Sequence, residues 1–101
     1  MSTPESQVKR KVSALLSKYG TRVYRFMPVQ GGYGAASLDY LGCAAGRFFA
    51  VETKAPGKKP TERQLKLIGD MRAAGATVFV IIGDHGLDAL ETWLDQTTAT
   101  H

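Results

Sequence analysis

The segment T-V-F-V-I-I, Thr77 to Ile82, constrains the fold more than any other part of the 101-residue chain. It is a continuous run of apolar and β-branched residues, of strand length and far too short to span a bilayer. A strand without polar alternation suits a sheet covered on both faces, and helical patterns flank it on either side. Thr61 to Ala74 reads as a helix. Thr61 and Gln64 have capping-box spacing, Leu65, Ile68 and Met71 form the apolar face, and Gly75 closes it. After the run, Asp84 is placed to cap a last helix through about Asp95, with Leu87, Leu90 and Leu94 inward and Trp93 one position off that stripe.

The front of the chain supplies the remaining strands. Ser2 and Glu5 have capping-box spacing, Pro4 sits where an early helical proline is tolerated, and Val8, Val12, Leu15, Leu16 and Tyr19 recur at helical intervals before Gly20. Thr21 to Met27 alternates as a half-buried strand does, and Pro28 ends it. Val29 to Ser37 is a loop containing Gly31, Gly32 and Gly34. Leu38 to Cys43 and Arg47 to Lys54 are strands joined by a turn at Ala44 to Gly46, which predicts a hairpin. Ala55 to Pro60 is a Pro/Gly/Lys loop. The order α-β-β-β-α-β-α predicts a single α/β domain over residues 1–101, with a mixed sheet flanked by helices.

The hairpin carries the chemistry. Side chains alternate along a strand, so Glu52 and Lys54 share one face while Phe49, Val51 and Thr53 share the core face. Asp39, on the partner strand, can approach Glu52 across the hairpin. Two converging carboxylates with a lysine one step along suit phosphodiester hydrolysis. Hard oxygen ligands hold Mg²⁺, which polarises phosphate and acidifies water. The lysine would stabilise charge developing on phosphorus or act as a base, and the sequence leaves both roles open. The alternative is an exposed Glu–Lys ion pair of little energetic consequence.

Charge supports a polyanionic partner. Residues 1–60 hold ten Lys/Arg against three acids, a net of +7, whereas residues 61–101 carry −3. Two of those three acids are Asp39 and Glu52, and a DNA-facing surface retains few acids that lack a task. One cysteine, Cys43, excludes an intrachain disulfide and, with only His85 and His101 beside it, a Cys-type zinc site. That cysteine usage points to a reducing, intracellular setting, and no N-terminal run has the order of a signal peptide.

These residues together resemble the PD-(D/E)xK nuclease superfamily, with its restriction-endonuclease-like core. More narrowly the chain is similar to the stand-alone, phage-type virus-type replication-repair nuclease domain, VRR-NUC. The resemblance runs from about Glu5 to Val80. It rests on Glu5 in an early helix, Gly-containing residues before Asp39, and F-F-A-V-E-T-K-A from Phe48 to Ala55. T-E-R-Q from Thr61 to Gln64 and A-G-A-T-V-F-V from Ala74 to Val80 complete it. It implies Mg²⁺ or Mn²⁺ held by Glu5, Asp39, Glu52 and the Thr53 carbonyl, Lys54 as the catalytic lysine and Gln64 as an accessory catalytic residue. It also implies a homodimer acting on branched DNA such as a Holliday junction, in the cytoplasm of a bacterial host. The sequence departs from the family's G-x-P-D pattern, with Ala36 in place of the glycine and Leu38 before Asp39.

Other residues keep two readings. Glu5 and Gln64 are cap residues or site residues. Lys58 and Lys59, Arg22 and Arg25 contact DNA phosphate or are solvated. His85 reads as a turn residue, Cys43 as a small core or hairpin residue, and the Gly31–Gly34 loop as a DNA-contacting or ordinary loop. A non-catalytic nucleic-acid-binding module and a partner-activated nuclease subunit are the alternatives to an enzyme acting alone.

Overall fold

A computed structural model describes residues 3–29 and 36–99. The elements run α1 (Pro4–Ser17), a 3₁₀ turn (Gly20–Arg22), β1 (Val23–Phe26), β2 (Tyr40–Ala44), β3 (Arg47–Lys54), α2 (Glu62–Ala73), β4 (Thr77–Ile82) and α3 (Leu87–Thr98). The expected order is present, with the 3₁₀ turn added. The strands lie in the order β1-β2-β3-β4, the first three antiparallel and β4 parallel to β3. Helix α2 is the crossover that a parallel pair requires. Among the described residues no helix is long and apolar enough to cross a membrane.

Helices α1 and α3 pack on one face of the sheet. Val8, Val12, Leu15 and Leu16 of α1 and Leu90 and Leu94 of α3 meet Tyr40, Phe49, Val51 and Ile81 in the main core. Trp93 inserts beside Phe49 and Phe79, with both ring centroids 5.6 Å away. Helix α2 covers the other face over β3 and β4 only, where Ile68 meets Leu38, Ala50 and Val78. The apolar strand β4 is therefore backed on both sides even though it is the edge of the sheet.

Several local expectations shift. Ser2 and the Gly31–Gly34 loop lie outside the described residues. The capping box of α1 is formed by Thr3 and Ser6, one residue later than the Ser2–Glu5 spacing predicted, which leaves Glu5 outside the cap. The first strand starts at Val23 instead of Thr21, because Gly20, at φ 56°, leads into a 3₁₀ turn. The hairpin turn places Ala45 and Gly46 at φ 50° and 79°, the paired left-handed geometry that matches strand twist.

Asp84 does not cap α3. Its carboxylate pairs with Lys11 of α1, and Ile82 and His85 exchange backbone hydrogen bonds of 2.9 and 3.0 Å. Gly86, at φ 97°, then turns the chain into α3 without a side-chain cap. His85 is thus a turn residue, as expected, and Cys43 is an exposed hairpin residue.

Candidate active site

The even-numbered residues of β3 lie on the sheet face that α2 covers in part. Ala50 packs beneath Ile68, and Glu52 and Lys54 follow toward the start of that helix. Glu52 is only 3% exposed. Its Oε2 accepts a 3.0 Å hydrogen bond from Gln64 Nε2 and lies 3.4 Å from Lys54 Nζ. Burial pushes the Glu52 carboxyl above its ordinary pKa, and the nearby negative charge of Asp39 adds to the shift; Lys54 and a backbone hydrogen bond from Asp39 oppose it. The Glu52 and Lys54 side chains are 4% and 15% exposed, so the pair is not a solvated surface bridge.

Asp39 sits at a bend immediately before pairing begins at Tyr40. Its Oδ2 accepts from the Thr53 amide at 2.9 Å and from Thr53 Oγ1 at 2.7 Å. The Thr53 side chain thus serves the site from the face opposite Glu52. In extended backbone a residue's N–H and C=O point to the same edge, so the Thr53 carbonyl is also turned toward the Asp39 side of β3.

Gln64 holds two positions at once. Its Oε1 accepts from the Thr61 amide at 3.0 Å, completing the capping box of α2, while its Nε2 donates to Glu52. The cap and site readings are therefore both realised, because an amide side chain offers an acceptor and a donor on one planar group.

Glu5 does not join Asp39 and Glu52. Its side chain is half-exposed and paired with Lys9 Nζ at 3.3 Å, and Lys9 in turn lies 3.8 Å from Asp39 Oδ1. Among the described residues no three of His, Cys, Asp and Glu converge as a metal-binding group. The expected Glu5, Asp39 and Glu52 set is thus interrupted by an ammonium. Arg25 is directed to the α1 side, where it donates to Ser17 Oγ at 3.0 Å. Arg22 lies over the Tyr19 ring and donates to the Tyr19 carbonyl. Neither arginine lies with the Glu52 cluster. Lys58 and Lys59 are exposed in the loop that leads from Lys54 to α2.

Two residues escaped the sequence reading. Tyr40 is fully buried, and its hydroxyl donates to the Lys9 carbonyl at 2.9 Å and pairs with Ser13 Oγ at 2.8 Å. Burial raises its pKa, keeping the phenol neutral. The second is Lys9, for which the i,i+4 relation to Glu5 is the one local signal in the sequence. Burial alone would lower the Lys9 pKa, but Asp39 and Glu5 outweigh it and hold the ammonium above its ordinary value.

The sequence matches no protein-family model and no curated protein. Among solved structures, a VRR_NUC domain matches over 94% of this chain and 94% of its own, with a TM-score of 0.68 and 23% identity. A likeness of that extent at that identity is one of fold. The chain has the fold of a VRR_NUC domain, a mixed sheet between helices of the restriction-endonuclease-like kind.

Proposed function

We propose that the chain is a metal-dependent endodeoxyribonuclease that hydrolyses phosphodiester bonds in branched DNA, four-way junctions among them. The observation that carries this reading is the buried Glu52–Lys54–Gln64 cluster beside Asp39. A structural protein gains little from burying a carboxylate next to a second one, since the desolvation cost is large. A hydrolytic site gains a place that attracts a cation.

The donor set fits Mg²⁺ or Mn²⁺. Two carboxylates and a backbone carbonyl are hard oxygen ligands, and such ions keep several waters as their remaining ligands. Glu52 and Asp39 repel each other, and a divalent charge relieves that repulsion. When bound, the ion supplies polarisation of the scissile phosphate and acidification of the attacking water.

The chain's own residues do the rest. Thr53 fixes the Asp39 carboxylate through two hydrogen bonds, which orients Oδ1 away from the strand. Gln64 and Lys54 hold Glu52 Oε2 from two sides, so that carboxylate has little rotational freedom. The Lys54 ammonium is in place to stabilise negative charge that builds on the phosphoryl oxygens during displacement. Lys58 and Lys59, on the exposed loop beyond Lys54, would contact the DNA backbone without reading sequence.

The enzyme would act as a homodimer. Among the described residues, helix α2 covers its sheet face over β3 and β4 only, and Tyr24, Phe26, Leu41, Gly42, Cys43 and Phe48 line a largely apolar groove of about 230 Å³ on the remainder. Tyr24, Phe26 and Phe48 are 67%, 48% and 45% exposed. These three aromatic side chains make an exposed apolar patch of the kind that marks a protein-protein contact. A nucleic-acid platform interleaves aromatics with cations. Here Arg25 is directed to the opposite face and Arg22 is held at Tyr19, so a second copy fits the groove better than DNA does.

The test is cleavage of a labelled four-way junction beside matched duplex and flap, with Mg²⁺ or Mn²⁺ against EDTA. The proposal expects cutting only with metal and preference for the branched substrates. Binding of every substrate with no cutting under either metal would instead identify a non-catalytic binding module.

A further inference from the structure

The carboxylate cluster carries its own cation. Asp39 Oδ2 is committed to Thr53 through both the amide and the hydroxyl, which leaves Oδ1 as the oxygen for a positive partner. The group facing Oδ1 is Lys9 Nζ at 3.8 Å, and the same ammonium takes Glu5 Oε2 at 3.3 Å. The approach to Asp39 is longer than a normal hydrogen bond, so the ammonium attracts that oxygen without being bonded to it.

This placement is built into the fold. The Tyr40 hydroxyl donates to the Lys9 carbonyl and is braced by Ser13 one turn further along α1. Tyr40 follows Asp39 directly in the chain and is fully buried. One side chain therefore registers the Lys9 turn of α1 against the bend that carries Asp39. An ordinary Glu–Lys pair at i,i+4 needs no such tether and no third partner.

We propose that Lys9 is the internal counter-ion of the metal site, holding Asp39 and Glu5 when no divalent ion is bound and competing with the ion for them. The inference rests on the metal-dependent reading above and adds an assignment to it. Lys9 sets metal affinity by opposition. Its charge keeps the paired acids tolerable in the free protein, and a divalent ion must displace it from Asp39. Glu5, held out at the end of Lys9, becomes available to the ion only when the ammonium leaves.

The experiment is a Mn²⁺ titration of the full chain, read by calorimetry and by the spin-resonance signal of free Mn²⁺. It compares the native protein, Lys9→Met, Lys9→Gln and the control Lys11→Met, whose ammonium pairs with Asp84. Both Lys9 variants are expected to bind Mn²⁺ about tenfold tighter, the size expected for removing a unit charge a few ångström from a divalent ion in a half-exposed site. Lys11→Met should stay within about twofold of native, as a surface ion pair does. Without metal the Lys9 variants should melt below the native protein, and saturating Mn²⁺ should close the gap. Equal or weaker Mn²⁺ binding by both Lys9 variants would overturn the counter-ion role and leave the metal site standing. Absence of Mn²⁺ binding in native and variant alike would overturn the metal-dependent reading itself, and the role with it.

Discussion

One face of one sheet has two ends that differ in almost every property. At the end flanked by α2, β3 presents Glu52 and Lys54, buried, paired and braced by Gln64. At the other end the same strand presents Phe48, exposed in a groove lined by Tyr24, Phe26 and Cys43, with no charged residue among its lining. The two ends are close. Phe26, Leu41 and Ala50 form one cross-strand row, Tyr24, Cys43 and Phe48 the next, and same-face rows are about 6.6 Å apart. What separates the ends is the reach of α2. Where the helix covers the sheet, charge is sequestered; where it stops, apolar surface is open among the described residues. A shielded charged cluster and an open apolar surface thus come from one uneven layer.

The largest effect should come from the charged end. Lys54→Met is expected to lower kcat/KM for junction cleavage by about 10²–10³-fold while leaving DNA affinity nearly unchanged, the loss typical of a transition-state charge stabiliser. A proportional loss of affinity and rate would move Lys54 to a DNA-binding role. The apolar end should respond in the opposite sense. Phe48→Ala is expected to weaken self-association by roughly 30-fold, about 2 kcal/mol, in sedimentation velocity, and Tyr24→Glu should leave monomers. Unchanged mass for both variants would break the contrast, because the groove would then have no partner of this kind.

Gln64 sharpens the border between the ends. Gln64→Ala removes the cap acceptor and the Glu52 donor together, costing about 1 kcal/mol of stability as well as activity. Gln64→Glu retains a cap acceptor but cannot donate to Glu52, so it should lose about tenfold in rate while melting closer to the native protein than Gln64→Ala does. Equal activity in Gln64→Glu and native would confine Gln64 to capping.

The smallest effect concerns pH. A carboxyl whose folded pKa lies above its unfolded value binds its proton more tightly when folded, so stability falls as pH rises from the ordinary value of 4.5 through the raised one. The cost is complete above the folded pKa. In metal-free calorimetry Glu52→Gln should therefore melt above the native protein at pH 7, and the difference should close toward pH 4. A lower melting temperature at pH 7 would show that Glu52 contributes stability.

Much of the layout was legible because it follows from period-two alternation. The hairpin strands, the continuous run of β4 and the shared face of Glu52 and Lys54 all obey it. The resemblance carried by F-F-A-V-E-T-K-A led to the VRR_NUC fold, which the solved-structure match bears out. What stayed hidden depends on contacts between distant segments. The bend at Asp39 lets its carboxylate hydrogen-bond Thr53, and no local pattern states that. Lys9 and Tyr40 meet across 31 positions, so neither attracted attention beside an obvious Asp–Glu–Lys set. Asp84 has the local pattern of a cap, but its partner is Lys11, 73 positions away in α1. Gln64 was posed as a choice between two roles that its amide fills together.

The central claim is that the buried cluster cuts DNA. It is tested most directly by comparing native protein with Glu52→Ala on a labelled four-way junction at saturating Mn²⁺ and matched DNA occupancy. The account predicts equal binding and at least a ~10³-fold loss of cleavage in the variant, as for removal of a carboxylate that holds the metal. Cleavage by Glu52→Ala at the native rate would contradict it.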